Sequence, residues 1–259
     1  MLRSLRTAER AMQLQQLRLE TLANNLANVD SSGFKQILTQ VTREDQATRQ
    51  ANKMNNLGLP DPDKSVVDAV WNPLPATRIQ AVADHRQGAL RTTGRDLDLA
   101  IVGDGFFEVG EGDNRQYTRN GSFRLDGNRQ LVTADGLKLQ GTSGPVTIEG
   151  TSIGVAEDGT VTGDGVEVGR IKVIKFSVPQ KLDHVAGSRF RPPPDQPFEE
   201  VPSNQVKIAQ GQLEHSNVNA IDTLIDMIAA QRAFEIEAKI LQANDETLDR
   251  SVNQLGRKA

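Results

Sequence analysis

The chain has 259 residues, of which 37% are hydrophobic and only 4% aromatic, and its formal net charge is −4. So little aromatic surface argues against one well-packed globule of the whole length, and balanced charge without a basic stripe argues against nucleic acid as a partner. The absence of cysteine excludes disulfides, zinc–cysteine sites and a thiol nucleophile.

A heptad pattern predicts a helix of roughly 28 residues from Leu2 to Val29. One heptad position holds Leu5, Met12, Leu19 and Leu26, and its partner position holds Ala8, Gln15, Leu22 and Val29. This spacing is typical of a coiled-coil-like seam, and turn formers up to Gly33 end the helix. Asn24, Asn25 and Asn28 lie near that end, and we expect them to cap the helix and fix register rather than to bind a ligand.

The middle of the chain has a different character. Residues 36–77 are polar, contain glycine and proline and keep no sustained period, so we expect an extended or flexible linker arm. Short apolar segments from 78 to 205 predict antiparallel strands at 99–102, 106–109, 116–119, 121–125 and 170–176. Hairpin turns are predicted at Asn120-Gly121, Asp126-Gly127, Asp135-Gly136 and Asp158-Gly159, because Asn, Asp and Gly tolerate positive φ.

A second long helix is predicted in the last segment, 206–259, after Ser216 and Asn217, which we expect to cap it. Its apolar residues spaced by seven are Met227, Phe234, Leu241, Leu248 and Leu255, with Leu224, Ala238 and Val252 on adjoining positions. A second stripe consists of Ile221, Ile225, Ile228, Ile236 and Ile240. A helix that is wet on one side needs only about 100° of apolar surface, so the wider face predicts contact with several neighbours.

The predicted fold class is therefore α+β, with long N- and C-terminal helices forming a coiled-coil-like helical domain and an inserted antiparallel all-β domain. The predicted domains are 1–35 (N-terminal helix), 36–77 (linker arm), 78–205 (β-rich domain) and 206–259 (C-terminal helix). The predicted assembly interface consists of Leu5, Met12, Leu19, Leu22, Leu26, Asn24, Asn25, Asn28, Leu224, Met227, Gln231, Phe234, Leu241, Leu248 and Leu255.

No pattern indicates catalysis, a cofactor or a metal. The loop Gly103–Phe107 lacks the further glycine and the following helix of a phosphate loop, so we expect a turn between strands. The histidines lie far apart, and the alternation of Asp96 and Asp98 with leucine is better explained as the solvent side of a strand than as a calcium site. The candidates considered were His85, His184, His215, Asp96, Asp98 and Asp104. We expect a structural protein and not an enzyme; a secreted adhesin-like binding module carried by the β-domain is the alternative.

Four segments in order resemble the signatures of the bacterial flagellar rod and hook family. The first is Ala23–Val29 with Ser32–Lys35, and the second is Asp96–Phe107. The third is Tyr117–Phe123, and the fourth is Ser216–Asn219, continuing through Met227-Ile228 to Gln231–Glu235. Together they span most of the chain, although 36–75 and 180–205 match least.

This resemblance implies a structural subunit of the flagellar basal-body rod, which spans the periplasm. Such a subunit would polymerise helically through its terminal helices to form a torque-transmitting drive shaft and export channel. The flagellar type III apparatus would export it without a cleavable signal peptide, and none is recognisable here. The implied partners are copies of itself, other rod and hook proteins, that export apparatus and surrounding ring proteins, with no nucleic acid and no membrane insertion. Distal and proximal rod positions both stay open.

Overall fold

The computed structural model of the chain describes residues 2–44, 76–194 and 196–256. Helix α1 spans Leu2–Ala27 and helix α2 spans Ala220–Gly256. Single turns of 3-10 helix lie at Gly112–Asn114 and Pro179–Lys181. Neither α1 nor α2 is long and apolar enough to cross a membrane.

Outside the helices the described residues form nineteen strands. In chain order they are β1 (Ile37–Glu44), β2 (Ala76–Ala83), β3 (Leu90–Thr92), β4 (Leu99–Ile101), β5 (Phe106–Val109), β6 (Gln116–Thr118), β7 (Arg124–Leu125), β8 (Leu131–Val132), β9 (Gln140–Gly141), β10 (Gly144–Pro145), β11 (Ile153–Val155), β12 (Thr160–Gly163), β13 (Val166–Arg170), β14 (Val173–Phe176), β15 (Asp183–Ala186), β16 (Arg189–Arg191), β17 (Phe198–Glu200), β18 (Ile208–Gln210) and β19 (Gln212–Glu214).

The largest sheet has six strands in the order β15-β16-β6-β5-β14-β17, and all of its pairings are antiparallel. A second antiparallel sheet has three strands in the order β11-β12-β13. The other sheets of the described residues are pairs: β1-β2, β3-β19, β4-β18, β7-β8 and β9-β10.

The chain divides into two units. One comprises Met1–Thr21, Leu38–Val82 and Ala233–Ala259, and the other comprises Leu22–Ile37 and Ala83–Arg232. The second unit therefore contains the end of α1, the beginning of α2 and the six-stranded sheet.

The six-stranded sheet buries apolar side chains on both faces. Phe106 and Phe107 are neighbours on β5, and successive side chains of a strand point to opposite faces. Both are buried, but they belong to different clusters. The cluster around Phe107 includes Phe123, Leu131, Leu139, Ile148 and Ile171. The cluster around Phe106 includes Ala83, Tyr117, Ile174, Phe176, Leu182 and Phe190.

The structure contradicts the predicted fold class. The described residues contain two helices and a large β-rich body, and the helices do not form the predicted coiled-coil-like domain. The second stripe of α2, expected to widen the seam, is exposed, with Ile221 at 69% and Ile225 at 59%. Helix α1 ends at Ala27, two residues before the predicted Val29. The physical reason is that heptad spacing reports an apolar stripe along a helix without saying what covers it.

Several local predictions can be compared with the strands. The predicted strands 99–102, 106–109 and 116–119 are confirmed by β4, β5 and β6. Strand 121–125 shortens to β7, and 170–176 shortens to β14. The predicted domain boundaries stay a prediction, because most of the proposed arm 36–77 lies outside the described residues, with β1 and β2 at its two ends.

The four turn dipeptides have different outcomes. Those at Asp126, Asp135 and Asp158 are confirmed, because antiparallel pairs or a bridge flank each one. The hairpin at Asn120-Gly121 is wrong: β6 pairs with β5 and β16, while β7 pairs with β8.

Candidate functional site

Five residues from three distant stretches of the chain meet within the second unit. We call this site the junction and define it as Asn25, Lys35, Arg119, Glu214 and Asn217. Asn25 lies on α1, Lys35 lies between α1 and β1, and Arg119 follows β6. Glu214 ends β19, and Asn217 precedes α2. The junction thus joins the chain segments that lead out of α1 and into α2.

A buried carboxylate lies at the centre of the junction. The Nζ of Lys35 lies 2.5 Å from Oε1 of Glu214, and Nη1 of Arg119 lies 3.3 Å from Oε2. All three residues are at most 3% exposed. Lys35 also donates to the carbonyl of Arg86 at 2.8 Å, and Arg119 to that of Gly103 at 2.7 Å. One carboxylate and two carbonyl oxygens therefore receive two buried cations.

Burial and charge act in opposite directions on these groups. Removal from water lowers the pKa of Lys35 below its usual range, and the Glu214 carboxylate opposes that shift. Burial likewise lowers the pKa of Arg119, with Glu214 again opposing, although a guanidinium keeps its charge in proteins. The Cζ of Arg119 also lies 5.3 Å from the centre of the Phe106 ring, a cation–π distance.

Two asparagines of the junction clamp the chain where β1 begins. Asn25 accepts a hydrogen bond from the Ile37 amide at 2.8 Å and donates to the Ile37 carbonyl at 2.7 Å. Asn217 accepts from the Gln36 amide at 2.7 Å and donates to the carbonyl of Asp84 at 2.9 Å. Each side-chain amide thus replaces backbone partners that a neighbouring strand would otherwise supply.

Two glycines allow backbone segments to approach the junction. Gly33 has φ of 67°, and a Cβ there would lie 2.3 Å from the amide nitrogen of Asn120. A Cβ on Gly121 would lie 1.6 Å from the carbonyl oxygen of Leu99. Glycine at 121 is therefore required by close approach rather than by the hairpin turn that Asn120-Gly121 predicted.

His85, one of the histidines considered and set aside in the sequence, lies beside the junction. The His85 ring packs edge-on against Phe106 and Phe190, with centroids 5.5 and 5.0 Å away. Within the described residues, neither ring nitrogen has a partner at full hydrogen-bond geometry, although the Pro179 backbone interacts with the ring. Burial lowers the pKa of His85 to about 4, and the charges of Lys35 and Arg119 add to the shift, against weaker opposition from the Pro179 backbone and Asp84.

The beginning of α2 differs from the expectation that Ser216 and Asn217 cap it. The cap is Asn219, whose Oδ1 accepts from the Ile221 amide at 3.0 Å. Ser216 accepts from the Val218 amide at 3.2 Å, and Asn217 belongs to the junction. The predicted caps therefore hold the approach to the helix rather than its first turn.

Helix α2 is apolar on two opposite faces. Thr223 and Ala230 are buried, and Met227, Phe234 and Leu241 are half-buried on the same face. At about 100° per residue the opposite face carries the isoleucine stripe. This stripe consists of Ile221, Ile225, Ile228, Ile236 and Ile240, each more than half exposed. The stripe is therefore a separate outward surface rather than an extension of the heptad face.

The predicted interface residues are distributed unevenly between buried and exposed positions. On α1, Leu22 and Asn25 are buried, Met12, Leu19 and Leu26 are half-buried, Asn24 is exposed, and Asn28 follows the helix half-buried. On α2, Leu224 is 41% exposed and Gln231 is also exposed. The side chains of Leu5, Leu248 and Leu255 lie outside the described residues.

The aspartates considered as calcium ligands have different surroundings and different partners. Asp98 is 1% exposed and accepts from the Thr93 hydroxyl at 2.7 Å, so its assignment to the solvent side of a strand is wrong. Asp104 is exposed and pairs with Lys175 at 2.8 Å. Among the described residues, no three His, Asp or Glu side chains come together as a metal site would require.

Three family profiles match the chain in the order of its segments. "Flagella basal body rod protein" matches residues 5–35, "Flagellar hook protein FlgE/F/G D1 domain" matches 100–163, and "Flagellar basal body rod FlgEFG protein C-terminal" matches 209–255. Each match contains a member of the junction: Lys35 in the first, Arg119 in the second and Glu214 in the third. The junction is therefore where the three matched regions meet.

Relatives similar over nearly their whole length agree with these profiles. The flagellar basal-body rod protein FlgG of Borreliella burgdorferi is 32% identical, covering 96% of this chain and 97% of that protein. FlgG of Bacillus subtilis is 31% identical over 98% and 99%, respectively. The rod protein FlgF of Escherichia coli is 32% identical over 90% of each. The chain belongs to the flagellar basal-body rod protein family.

As a member of the basal-body rod family, the chain is a structural rod subunit, which the sequence analysis predicted. Its place is the flagellar basal body, and its family implies assembly with other flagellar rod and hook proteins. The adhesin alternative receives no support. What sequence reasoning missed in this rod protein is the junction itself. Lys35 and Arg119 lie in two of the signature segments, but nothing in those segments indicates that they meet each other or Glu214.

Proposed function

We propose that this rod subunit assembles with copies of itself and with other rod and hook proteins through the outward surface of α2. The observation that carries the proposal is the isoleucine stripe. Five isoleucines in line along one helix face, each more than half exposed, form a continuous apolar surface of the kind that marks protein–protein contact.

The free-energy scale supports this role. Full burial of an isoleucine contributes about 1.5–3 kcal/mol relative to exposure. Burying the exposed halves of five of them would therefore contribute several kcal/mol per subunit, before the entropy of association is subtracted. Repetition of a modest contact along a polymer suits a rod, whose strength comes from many subunits.

We propose that the predicted interface residues on both helices take part in the same assembly. The half-buried heptad faces keep apolar surface that a neighbouring subunit can cover. The set is Leu5, Met12, Leu19, Leu22, Leu26, Asn24, Asn25, Asn28, Leu224, Met227, Gln231, Phe234, Leu241, Leu248 and Leu255. Of these, Asn25 acts indirectly, because its amide already clamps Ile37.

The junction would supply stiffness to a torque-transmitting shaft. Lys35, Arg119 and Glu214 fix the segments at the end of α1 and the beginning of α2 against the β-rich body of their unit. Buried charge pairs break only at high cost, because a lone buried ion is costly. Torque applied at the helices would then be transmitted to the β-rich body, because the junction prevents the helix ends from moving relative to that body.

We further propose that the protein acts without catalysis and leaves the cytoplasm through the flagellar type III export apparatus. The support is family membership, since rod proteins assemble beyond that apparatus. Surrounding ring proteins are additional proposed partners, and contact with them would involve the β-rich body.

The test compares two surface changes from an apolar residue to aspartate. Ile228→Asp alters the stripe at a residue that is 51% exposed, and Val166→Asp alters a valine on β13 that is 67% exposed. We expect both purified variants to unfold at the wild-type temperature. Only Ile228→Asp should abolish rod assembly and swimming. A motile strain with normal rods carrying Ile228→Asp would refute the assignment of the stripe.

A further inference from the structure

The six-stranded sheet has two outer strands, β15 and β17. Every residue of both strands is exposed. Within the described residues, each outer strand pairs with a neighbour on one side only. Such strands present unpaired N–H and C=O groups that another chain can bind.

The direction of the outer strands permits pairing between copies. All five pairings of the sheet are antiparallel, so direction alternates across six strands and the first and sixth run oppositely. A second copy placed beside the first in the same orientation would bring its β15 next to β17 of the first. That contact would be antiparallel and would continue the alternation without a break.

Both outer strands are acidic by themselves, with Glu199 and Glu200 on β17 and Asp183 on β15, but two exposed bases of neighbouring elements lie beside β15. Strand β17 carries Glu199 and Glu200, while Lys175 beside Glu199 on β14 is held by Asp104 at 2.8 Å. At the other side of the sheet, Lys181 precedes β15, and Arg191 lies opposite Asp183. The exposed charges at that side sum to +1. Two β17 strands would repel each other, whereas Lys181 and Arg191 beside β15 can attract Glu199 and Glu200.

Apolar side chains lie beside these charges. Phe198 on β17 is 52% exposed, and Val185 on β15 is 41% exposed. Val185 also sits at a break in register between His184 and Ala186, which shortens the regular part of β15. A short contact with one apolar residue on each side suits an interaction that is weak singly and repeated many times.

We propose that β17 of one copy binds β15 of the next, extending the six-stranded sheet from subunit to subunit. The contact uses two different surfaces, so it is heterologous, and the twist of the sheet turns each copy relative to the last. A heterologous contact that does not close gives an open helical polymer. Repulsion between like strands disfavours closed dimers, in which β17 would meet β17. This inference rests on the proposed self-assembly but concerns a surface other than the isoleucine stripe.

The absence of cysteine makes a cross-linking test direct. Val185→Cys and Phe198→Cys are combined in one chain, and assembled rods are treated with a short bifunctional maleimide. We expect a ladder of linked subunits from the double variant. We expect no linked species from either single variant, or from a control that combines Phe198→Cys with the exposed Val166→Cys. Assembled rods of the double variant that yield no ladder would overturn the proposal, as would efficient linking of a single variant.

A charge exchange keeps the proposal testable if the cysteine variants fail to assemble. We expect Glu199→Lys with Glu200→Lys to slow polymerisation of the purified chain at low salt by about tenfold, as loss of electrostatic steering does. The pair Lys181→Glu with Arg191→Glu should do the same, and combining both pairs should restore most of the rate. Folded variants with no restoration would contradict pairing of the two strands. Normal assembly of Ile228→Asp would instead refute the proposed function, whatever the cross-linking shows.

Discussion

Lys35 and Glu214 form an ion pair from which water is excluded, their side chains being 1% and 0% exposed. The same carboxylate faces Arg119 through its other oxygen. Loss of Glu214 should therefore destabilise the fold more than loss of either cation. Without Glu214 two buried positive charges have no partner, whereas without Lys35 the carboxylate is still paired with Arg119. This asymmetry makes the junction testable.

We expect Glu214→Gln to lower the free energy of unfolding by about 3–5 kcal/mol, because two cations lose their counter-charge. Lys35→Met should cost less, about 1–3 kcal/mol, because Arg119 still neutralises Glu214. Urea unfolding followed by circular dichroism measures both. The control is Lys175→Met, which removes the exposed pair with Asp104 and should cost less than about 1 kcal/mol. If Glu214→Gln costs no more than this control, the junction does not stabilise the fold.

The stability of the protein should depend on the protonation of His85. Its pKa in the folded state is about 4, below its ordinary value of 6.5. The unfolded chain therefore binds a proton at His85 that the folded chain does not bind. The contribution of neutral His85 to the free energy of unfolding is complete above pH 6.5 and declines as the pH falls toward 4. Between pH 6.5 and pH 4, we expect the free energy of unfolding to fall by up to about 3 kcal/mol more for wild type than for His85→Phe.

Thermal unfolding at a series of pH values measures this difference. His184→Phe is the matched control, because that exposed ring also packs against Phe190, at 5.6 Å. Comparison with this variant separates the loss of an edge-on ring contact with Phe190 from the loss of His85 itself. Parallel curves for wild type and His85→Phe would show that His85 does not titrate against folding.

The clamp formed by Asn25 depends on a side chain that both donates and accepts. Asn25→Asp keeps an acceptor for the Ile37 amide but turns a second oxygen toward the Ile37 carbonyl. We expect a loss of about 1–3 kcal/mol and faster hydrogen exchange at the Ile37 amide. Asn24→Asp adds the same charge one residue earlier at an exposed position, so its effect should be much smaller. Equal effects of the two changes would mean that helix-end charge, and not the clamp, is responsible.

A comparison of Gly33 with Gly94 distinguishes two reasons why a position requires glycine: a positive φ angle and the close approach of another backbone segment. Their φ angles are 67° and 72°, but a Cβ on Gly94 meets nothing within 4 Å, whereas one on Gly33 meets the Asn120 backbone. Alanine at Gly94 should cost about 1 kcal/mol for its left-handed conformation. Gly33→Ala should cost at least twice as much, because backbone must also move. Equal unfolding temperatures for the two variants would disprove the close approach.

The parts of the fold that local chemistry dictates could be predicted from the sequence. Asp126 is an example: its carboxylate accepts from the Asn128 and Gln130 amides, both at 2.8 Å, and closes the turn between β7 and β8. The heptad residues Met227 and Phe234 likewise lie on the partly buried face of α2. In both cases neighbours in sequence determine the outcome.

Features made by distant segments could not be predicted in the same way. Glycine at 121 looked like a turn former, but the carbonyl of Leu99 is what requires it. The stripe from Ile221 to Ile240 looked like part of a seam, yet nothing in its spacing says whether protein or water covers it. Lys35 ends a signature segment and Glu214 lies in none, and neither position indicates the other, so their pairing is visible only once the fold is known.

The ion pair at the junction also sets an order of events for a chain that emerges N-terminus first. Lys35 and Glu214 are 179 residues apart in sequence. The ion pair therefore cannot form until most of the polypeptide has emerged. Closing so long a loop is entropically costly and slow. Until then the Lys35 ammonium has no counter-charge, and a chain cut before residue 214 cannot supply one. A residue late in the chain therefore completes the surroundings of one near its beginning.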